Sequence, residues 1–537
     1  MQWQAWWLER LPDERLRSEA LTCLDASWGG SLSALLALAS VWREKAAPGQ
    51  RLSLVWLADS MKDVDDRLAQ DCLPGWVRPA PFPGLHRQVL AQGAVTLLVG
   101  IGNRAQLPGE LVALVDLVLV DSLESDVDHW LKPGGQALCA QTGQMRGQSS
   151  DSPLHNPIAQ GWLGARINGG ATDAVVIGGG ISGLTTAAKL AGAGWSVTVL
   201  DAGDVHDGHL GAALTPVVSS DDNSRSKLSR AGALAAARFW GALGDSIGTP
   251  CGALQLQRPA GERRLVDLKS VAERLKMPDW ACWVDFHQAS EIAGVRLGRG
   301  AMWFPGGWVV RVHDLLSRLR ETPGVRCIQT TVSSVRHAGG VWHAQGQHGE
   351  TIAHGAVAVL ANAADCLRLL AASDIPYGGT RLEGLHRLAG EVTAIAASAL
   401  AGGPRCVVGG DGYVLPSISG WCVSGGTYQR GGDLAQCSKE GKVANLDRAG
   451  ELLGFSGLSE QIDPQTLQGW AGWRAVLPGR LPAIGPVLGQ PGLWVFTGGA
   501  SRGLTWSALG ADLITGALAA EPIALESELL KAVWPGF

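Results

Sequence analysis

Apolar and polar positions in this chain come in blocks whose period changes along its length. Between residues 20 and 145, short apolar runs alternate with longer helical patterns. Leu21 to Asp25, Leu52 to Leu57, Val95 to Val99 and Val115 to Val120 read as strands, and Ser31 to Trp42 as an apolar helix. Leu131-Lys-Pro-Gly-Gly135 predicts a turn leading into a last short strand. This alternation predicts a compact α/β layer. Residues 144–172, rich in Gln, Ser, Gly and Asn, read as a linker. Residues 250–400 carry β-rich patterns such as Val332 to Val335 and Val341 to Ala344. Val357 to Ala361 predicts a buried strand of the parallel type. The chain closes with a strand at Trp494 to Thr497, a glycine turn, and a helix from about Ser507.

A different signal interrupts these blocks at residue 173. Asp173-Ala-Val-Val-Ile-Gly-Gly-Gly-Ile-Ser-Gly183 predicts a strand, a tight turn and a helix start, and Trp195 to Asp201 a second strand ending in an acid. Gly178, Gly180 and Gly183 make G-x-G-x-x-G. The first glycine permits the turn, the second admits a pyrophosphate, and the third lets the helix pack on the strand. Ile181 and Ser182 open the helix whose free N–H groups would face the phosphates. Asp201 stands where a carboxylate accepts hydrogen bonds from a ribose diol. About 170 residues precede this motif, so the chain begins with something else. The late strand, glycine turn and helix, with Gly499, Ser501, Gly503 and Leu504 in the turn, is the kind of unit that returns to the dinucleotide in flavoproteins.

Composition narrows the rest. A chain of 537 residues is long enough for two to four domains. The net charge of −5 offers no global attraction for nucleic acid, so an RNA substrate would need a local basic face. Arg225, Lys227 and Arg230 form one such cluster, and Arg258, Arg263, Arg264, Lys269, Arg274 and Lys276 a second one interleaved with acids. Ten cysteines without C-x-x-C or zinc spacing read as reduced thiols of a cytoplasmic protein. No metal site, secretory signal or membrane span is expected. His206 and His209 read as loop histidines, and the tryptophans mostly as core.

Several further segments carry a family resemblance. Ser219 to Gly232, Trp303-Phe-Pro-Gly-Gly-Trp-Val309, Gly409 to Pro416, Ser424 to Tyr428, Gly469-Trp-Ala-Gly-Trp-Arg474, Leu481 to Pro486 and Gly498 to Leu504 keep their order over residues 173–537. That region resembles the glycine oxidase/D-amino-acid oxidase class of FAD enzymes. More closely, it resembles the C-terminal half of the bifunctional tRNA 5-methylaminomethyl-2-thiouridine biosynthesis (MnmC) family. The N-terminal region resembles the methyltransferase half of that family in shortened, degenerate form. Asp25-Ala-Ser-Trp-Gly-Gly-Ser31 stands where the family has E-x-G-F-G-T-G, with Ser27 and Ser31 at two glycine positions. Asp121-Ser-Leu-Glu-Ser125 replaces its D-G-F-A-P.

The resemblance implies an α/β and α+β protein. A degenerate Rossmann-like methyltransferase domain would occupy 1–145 and a linker 146–172. An FAD domain with a β-rich substrate subdomain would occupy 173–537. Its FAD-binding parts would fall near 173–250, 325–370 and 470–537, and its substrate subdomain near 251–324 and 371–469. It further implies noncovalent FAD, a tRNA substrate, and oxidation of the carboxymethylaminomethyl group of the wobble uridine to 5-aminomethyluridine and glyoxylate. Arg474 would hold the substrate carboxylate as a planar fork. Arg502 would contact substrate or flavin, and Tyr413 and Tyr428 would line the pocket. S-adenosylmethionine binding and methyl transfer are expected to be lost, because serine crowds a loop that must hug its ligand. Two alternatives stand beside this reading. One is a small-molecule amine oxidase of the glycine or sarcosine type. The other makes the N-terminal region a tRNA-docking or purely structural module.

Overall fold

The computed structural model describes residues 2–11, 20–27, 32–47, 49–62, 64–79, 82–103, 105–148, 157–163, 172–203, 206, 208–259, 267–429 and 435–536. The chain forms two compact units. The first comprises 1–170 with 488–491 and 512–532, and the second 171–487 with 492–511 and 533–537.

The first unit is built on a seven-stranded sheet. Its order is Gly84–Leu90, Val95–Ile101, Arg51–Ala58, Ala20–Asp25, Val115–Val120, Leu131–Cys139, Met145–Gly147. The five inner strands run parallel and the two edges antiparallel. The inner strands are near-continuous apolar runs because both faces are covered. Trp7, Leu35, Leu38, Trp42, Leu54 and Val99 fill one face, and Leu24, Val55, Val118 and Trp130 the other. The Trp7 indole donates to the Ala34 carbonyl at 2.7 Å, satisfying its one polar atom inside that core. The predicted turn at Leu131 to Gly135 is instead the start of a nine-residue strand. Its register slips between Val115 and Leu117, so the glycine-rich stretch is taken up as a bulge, with Gly134 at φ 77°. The edge strand Gly84–Leu90, half polar in sequence, gives no alternating signal strong enough to read. Within 144–172, Met145–Gly147 pairs as an edge strand and Pro157–Leu163 forms a helix.

Residues 512–532 complete this unit. The buried Arg87 guanidinium is held between Asp512, at 3.2 Å, and Glu521. Ser527 bonds Glu110 at 2.8 Å, and the Ile523 N–H reaches the Val112 carbonyl at 2.9 Å.

The second unit carries two main sheets. A six-stranded sheet runs Val325–Gln329, Ser196–Asp201, Asp173–Ile177, Val357–Leu360, Leu493–Thr497, Ala483–Pro486, with all but the last strand parallel. Val357–Leu360 is fully buried at its centre, as its unbroken apolar run predicts. An eight-stranded mixed sheet runs Cys282–Val284, Ala301–Phe304, Ala253–Leu256, Val407–Gly410, Gly412–Val414, Trp421–Gly425, His386–Ala396, Gly469–Val476. One of its faces is closed by the helix Lys439–Leu453, whose buried Asn445 donates to Thr393 Oγ1 at 3.0 Å. Glu391 on the same face accepts from the Ser438 N–H and hydroxyl at 2.7 and 2.8 Å, tying the helix start to the sheet. Gly390, Gly472 and Arg474 lie on the opposite face.

Among the described residues no helix is long and apolar enough to cross a membrane, and no group of His, Cys, Asp and Glu could hold a metal ion.

Candidate active site

The dinucleotide element folds as its glycines require. Gly178 sits at φ 111°, and a Cβ there would lie 2.5 Å from the Ala361 carbonyl oxygen, so neither the dihedral nor the space admits a side chain. A Cβ at Gly183 would fall 1.9 Å from the Gly178 oxygen, which is the close packing of helix Ile181–Gly192 on the turn. Gly180 is different. It is the N-cap, in extended conformation with no side-chain cap, and a Cβ there would meet nothing within 4 Å. The space before the helix N–H groups is therefore open. Asp201 ends the neighbouring strand, and its carboxylate comes within 2.6 Å of where a Gly179 Cβ would be. Asn362, just past Val357–Leu360, has a buried Oδ1 with no partner in the protein. An open cradle of N–H groups, an acid at the second strand end and an orphaned amide oxygen suit the pyrophosphate and ribose of FAD.

The late glycine turn reaches the same place. The helix there begins at Gly503, one turn earlier than the apolar pattern suggests. The earlier start follows from close contact: a Cβ at Gly503 would lie 3.3 Å from Ile181 Cγ2. Ala500 donates to the Ala475 carbonyl at 2.8 Å, and Val476 bridges to Gly499. These bonds join the turn that carries Ser501 and Arg502 to the strand that carries Arg474. Leu504 lies in the first turn of the helix.

Arg474 lies on the face of the eight-stranded sheet opposite the helix Lys439–Leu453. That face is paved with glycine where large side chains cross it. Gly390 pairs with Gly472, and a Cβ at Gly390 would lie 1.5 Å from Arg474 Nη1. At Gly472 it would strike the Trp470 ring, and at Gly425 the Tyr413 hydroxyl. The Arg474 guanidinium donates through Nη1 to the carbonyls of Thr427 at 3.0 Å and Ala389 at 3.3 Å. It also stacks on the Tyr428 ring at 4.9 Å. Neutral carbonyls and an aromatic face orient the cation without neutralising it. Tyr428 is half exposed, and its hydroxyl stands 3.4 Å from Ser501 Oγ. Tyr413 is close enough to feel the Arg474 charge, yet burial pushes its phenol up to about 12. A cavity of about 280 Å³ touches Gly390 and Tyr428 but is lined mainly by Glu391, Ser438, Glu440, Gly441 and Ala471, on the helix side of the sheet rather than the Arg474 side.

Arg502 anchors Nη1 on the Thr215 carbonyl at 2.6 Å. Burial, with Arg225 and then Arg480 as like-charged neighbours, pushes it down to about 10, so it stays protonated at neutral pH. Arg480 lies over the Tyr428 ring as well, at 5.7 Å. The basic cluster read around 225–230 divides. Arg230 is buried and held by both oxygens of Asp222 at 3.1 Å. Lys227 is exposed, and Arg225 turns toward Arg480 and Tyr428. In the second cluster Arg263 and Arg264 lie outside the described residues.

His209 stacks on Trp470 at 4.1 Å and nearly parallel, with His206 5.5 Å from the same indole. Burial, reinforced by His206 and Arg474, pushes the His209 imidazole down to about 3. It is neutral beside Arg474. Sequence reading places His209 in a loop without a role and passes over Arg480 and Asn362, because none of the three carries a periodic pattern and only tertiary closure brings it to the site.

In the first unit, Asp25 ends its strand buried, and accepts from the Ser27 hydroxyl at 2.6 Å and N–H at 3.0 Å. Burial raises its pKa. Residues 28–31, including Ser31, lie outside the described residues.

Comparison with known proteins agrees with this geometry. Residues 173–517 match the family model described as FAD dependent oxidoreductase. Over 85% of its length the chain is 32% identical to the tRNA 5-methylaminomethyl-2-thiouridine biosynthesis bifunctional protein MnmC of Cupriavidus metallidurans, covering 77% of that protein. Over 98% of its length it is 30% identical to the protein of the same name from Ralstonia nicotianae, covering 91% of it. Among solved structures, glycine oxidase from Geobacillus kaustophilus superposes with a TM-score of 0.54 at 21% identity, over 66% of this chain and 96% of that one. Iminodiacetate oxidase from Chelativorans sp. BNC1 gives 0.53 at 21%, over 68% and 99%. With an open dinucleotide cradle, a family match across the unit that carries it, and full-length relatives bearing one name, the chain is an FAD-dependent oxidoreductase and belongs to the bifunctional MnmC family.

Proposed function

We propose that this chain removes the carboxymethyl group from 5-carboxymethylaminomethyluridine, or its 2-thio form, at the wobble position of tRNA. The products are 5-aminomethyluridine and glyoxylate. The observation that carries this reading is Arg474: a guanidinium fixed by two carbonyls, with no carboxylate partner among the described residues, on a sheet face joined to the turn at Gly499 to Leu504. The names of the relatives supply the substrate class.

Bound FAD supplies the two-electron acceptor for the C–H bond next to the secondary amine. Gly178, Gly180, Ile181, Ser182 and Gly183 would hold its pyrophosphate and Asp201 its ribose. Gly499, Ser501, Gly503 and Leu504 would bring a helix N-terminus toward the redox end. Arg474 would take the glycine-like carboxylate in a bidentate bond and so fix which C–H faces the acceptor. Tyr413 and His209 are both neutral at physiological pH, so they can pack or hydrogen-bond around that carboxylate without competing charge. None of the ten cysteines forms a disulfide among the described residues.

The first unit is assigned no methyl transfer. The Ser27 hydroxyl takes one oxygen of Asp25 at the end of its strand, where the family's loop has glycine. The test is to incubate the purified protein with tRNA carrying carboxymethylaminomethyluridine, then digest and weigh the nucleosides. Conversion to aminomethyluridine with stoichiometric glyoxylate supports the reading. Oxidation of free glycine or sarcosine with no change in the tRNA would replace it by a small-molecule amine oxidase.

A further inference from the structure

The site holds more positive charge than the oxidation requires. One carboxylate occupies one guanidinium, and Arg474 provides it. Three further arginines converge on the same tyrosine. Arg480 lies 5.7 Å from the Tyr428 ring, and Arg502 carries the turn whose Ser501 faces the Tyr428 hydroxyl. Arg225 is an electrostatic neighbour of Arg480, Arg502 and Tyr428. Among the described residues none of the three has a carboxylate within salt-bridge distance. The nearest acid in sequence that is committed, Asp222, is used by Arg230. Asp221, the other, is exposed and held by Asn223 and Ser219.

Like charges crowded together and partly shielded from water repel, and the arrangement persists only where something else repays it. Two details point to an absent anion. Arg225 Nε is buried and has no partner in the protein. Arg502 is anchored through a single nitrogen on a neutral carbonyl, so its remaining donors are uncommitted. Buried donors without partners are rare unless a ligand satisfies them. Guanidinium groups bind carboxylate and phosphate alike, and a phosphate offers more oxygens to share among three of them.

We propose that Arg225, Arg480 and Arg502 form a second anion seat, separate from the carboxylate clamp at Arg474, which takes a phosphate of the nucleotide whose side arm is oxidised. The inference rests on the tRNA reading above and deepens it. The enzyme would recognise its substrate by two anions on one nucleotide, the carboxylate at the tip of the arm and the phosphate of the backbone. Glycine and sarcosine would fill only the first seat, which gives the site a means of rejecting free amino acids.

The experiment compares two probes with the FAD-loaded protein under anaerobic conditions. One is the nucleoside 5-carboxymethylaminomethyluridine, the other its 3′,5′-bisphosphate. The half-saturating concentration for flavin reduction is read for each. Wild type should prefer the bisphosphate by about tenfold or more, the scale of one or two charge-assisted hydrogen bonds. Arg225→Gln and Arg480→Gln should each bring that ratio most of the way toward one. Arg238→Gln, exposed farther along the same helix as Arg225, should leave the ratio as in wild type. Flavin content of each variant reports folding, and Arg225→Lys, which retains charge, should recover part of the preference. Equal half-saturation for the two probes in wild type, or a preference that survives both glutamine variants, overturns the seat while leaving the oxidation intact. If neither probe reduces the flavin while intact tRNA carrying carboxymethylaminomethyluridine does, recognition does not rest on two anions of one nucleotide and the seat is overturned; if the tRNA fails as well, the tRNA reading falls with it.

Discussion

At the scale of single residues the account depends on Arg474. Lysine keeps the charge but cannot span the carbonyls of Ala389 and Thr427 while offering a planar fork. Arg474→Lys should slow flavin reduction by substrate about ten- to a hundredfold, the worth of a lost charge-assisted hydrogen bond, and leave flavin content unchanged. Stopped-flow reduction beside an absorbance spectrum measures both, and an unchanged rate would move the carboxylate anchor to Arg502. His209 makes a prediction about pH. Its imidazole is held down to about 3 in the fold against about 6.5 free. Above pH 6.5 both states are neutral and nothing changes. Between 6.5 and about 3 the unfolded chain takes up a proton that the folded chain refuses, so stability falls as pH falls. His209→Asn should flatten this part of the stability profile, as read by denaturant melts from pH 7 to pH 4. Arg474, Arg502, Tyr413 and Tyr428 could be proposed from sequence because they lie in segments with a recognisable pattern, and the fold brings Arg474 and Tyr428 into contact. Arg480 was not, since nothing in Pro-Gly-Arg before Leu481 marks it as a neighbour of Tyr428.

At the scale of elements, the glycine turns make separable predictions. Gly178 is required by the fold, whereas nothing in the fold requires Gly180, which we assign to the ligand. Gly178→Ala should destabilise the protein, because the new Cβ meets backbone at 2.5 Å and φ is 111°. Gly180→Leu should fold with near wild-type stability and lose FAD, since its side chain enters open space in front of the helix N–H groups. Circular dichroism melts and flavin content after gel filtration distinguish the two. If Gly180→Leu retains flavin, the pyrophosphate sits elsewhere. The strand, glycine turn and helix at 173–201 could be read directly, because periodicity and turn chemistry agree there. The reading failed where they conflict. Leu131 to Gly135 has turn residues yet pairs as a bulged strand, because the neighbouring strand Val115–Val120 supplies the ladder. The closing helix starts at Gly503 rather than Ser507, because its first turn packs by close contact on Ile181 instead of by an apolar stripe.

At the scale of the whole molecule, the chain ends matter to the first unit. Arg87 is buried with its charge met by Asp512 and Glu521, residues more than 400 positions away. Removing one partner leaves a buried cation short of compensation, at a cost of about 3 kcal/mol. Glu521→Ala should lower stability by that order in denaturant unfolding, and a loss below about 0.5 kcal/mol would show that Arg87 is solvated there. No sequence pattern announces this pairing, since it joins an edge strand to a C-terminal segment. The first unit should also fail to bind S-adenosylmethionine, and micromolar binding by calorimetry would overturn that expectation. The most direct test of the central claim is the nucleoside profile of tRNA from cells in which this gene alone is deleted. The account predicts accumulation of 5-carboxymethylaminomethyluridine, in its 2-thio form where thiolation occurs, and loss of every product downstream of 5-aminomethyluridine. A profile identical to that of the parent strain would contradict it.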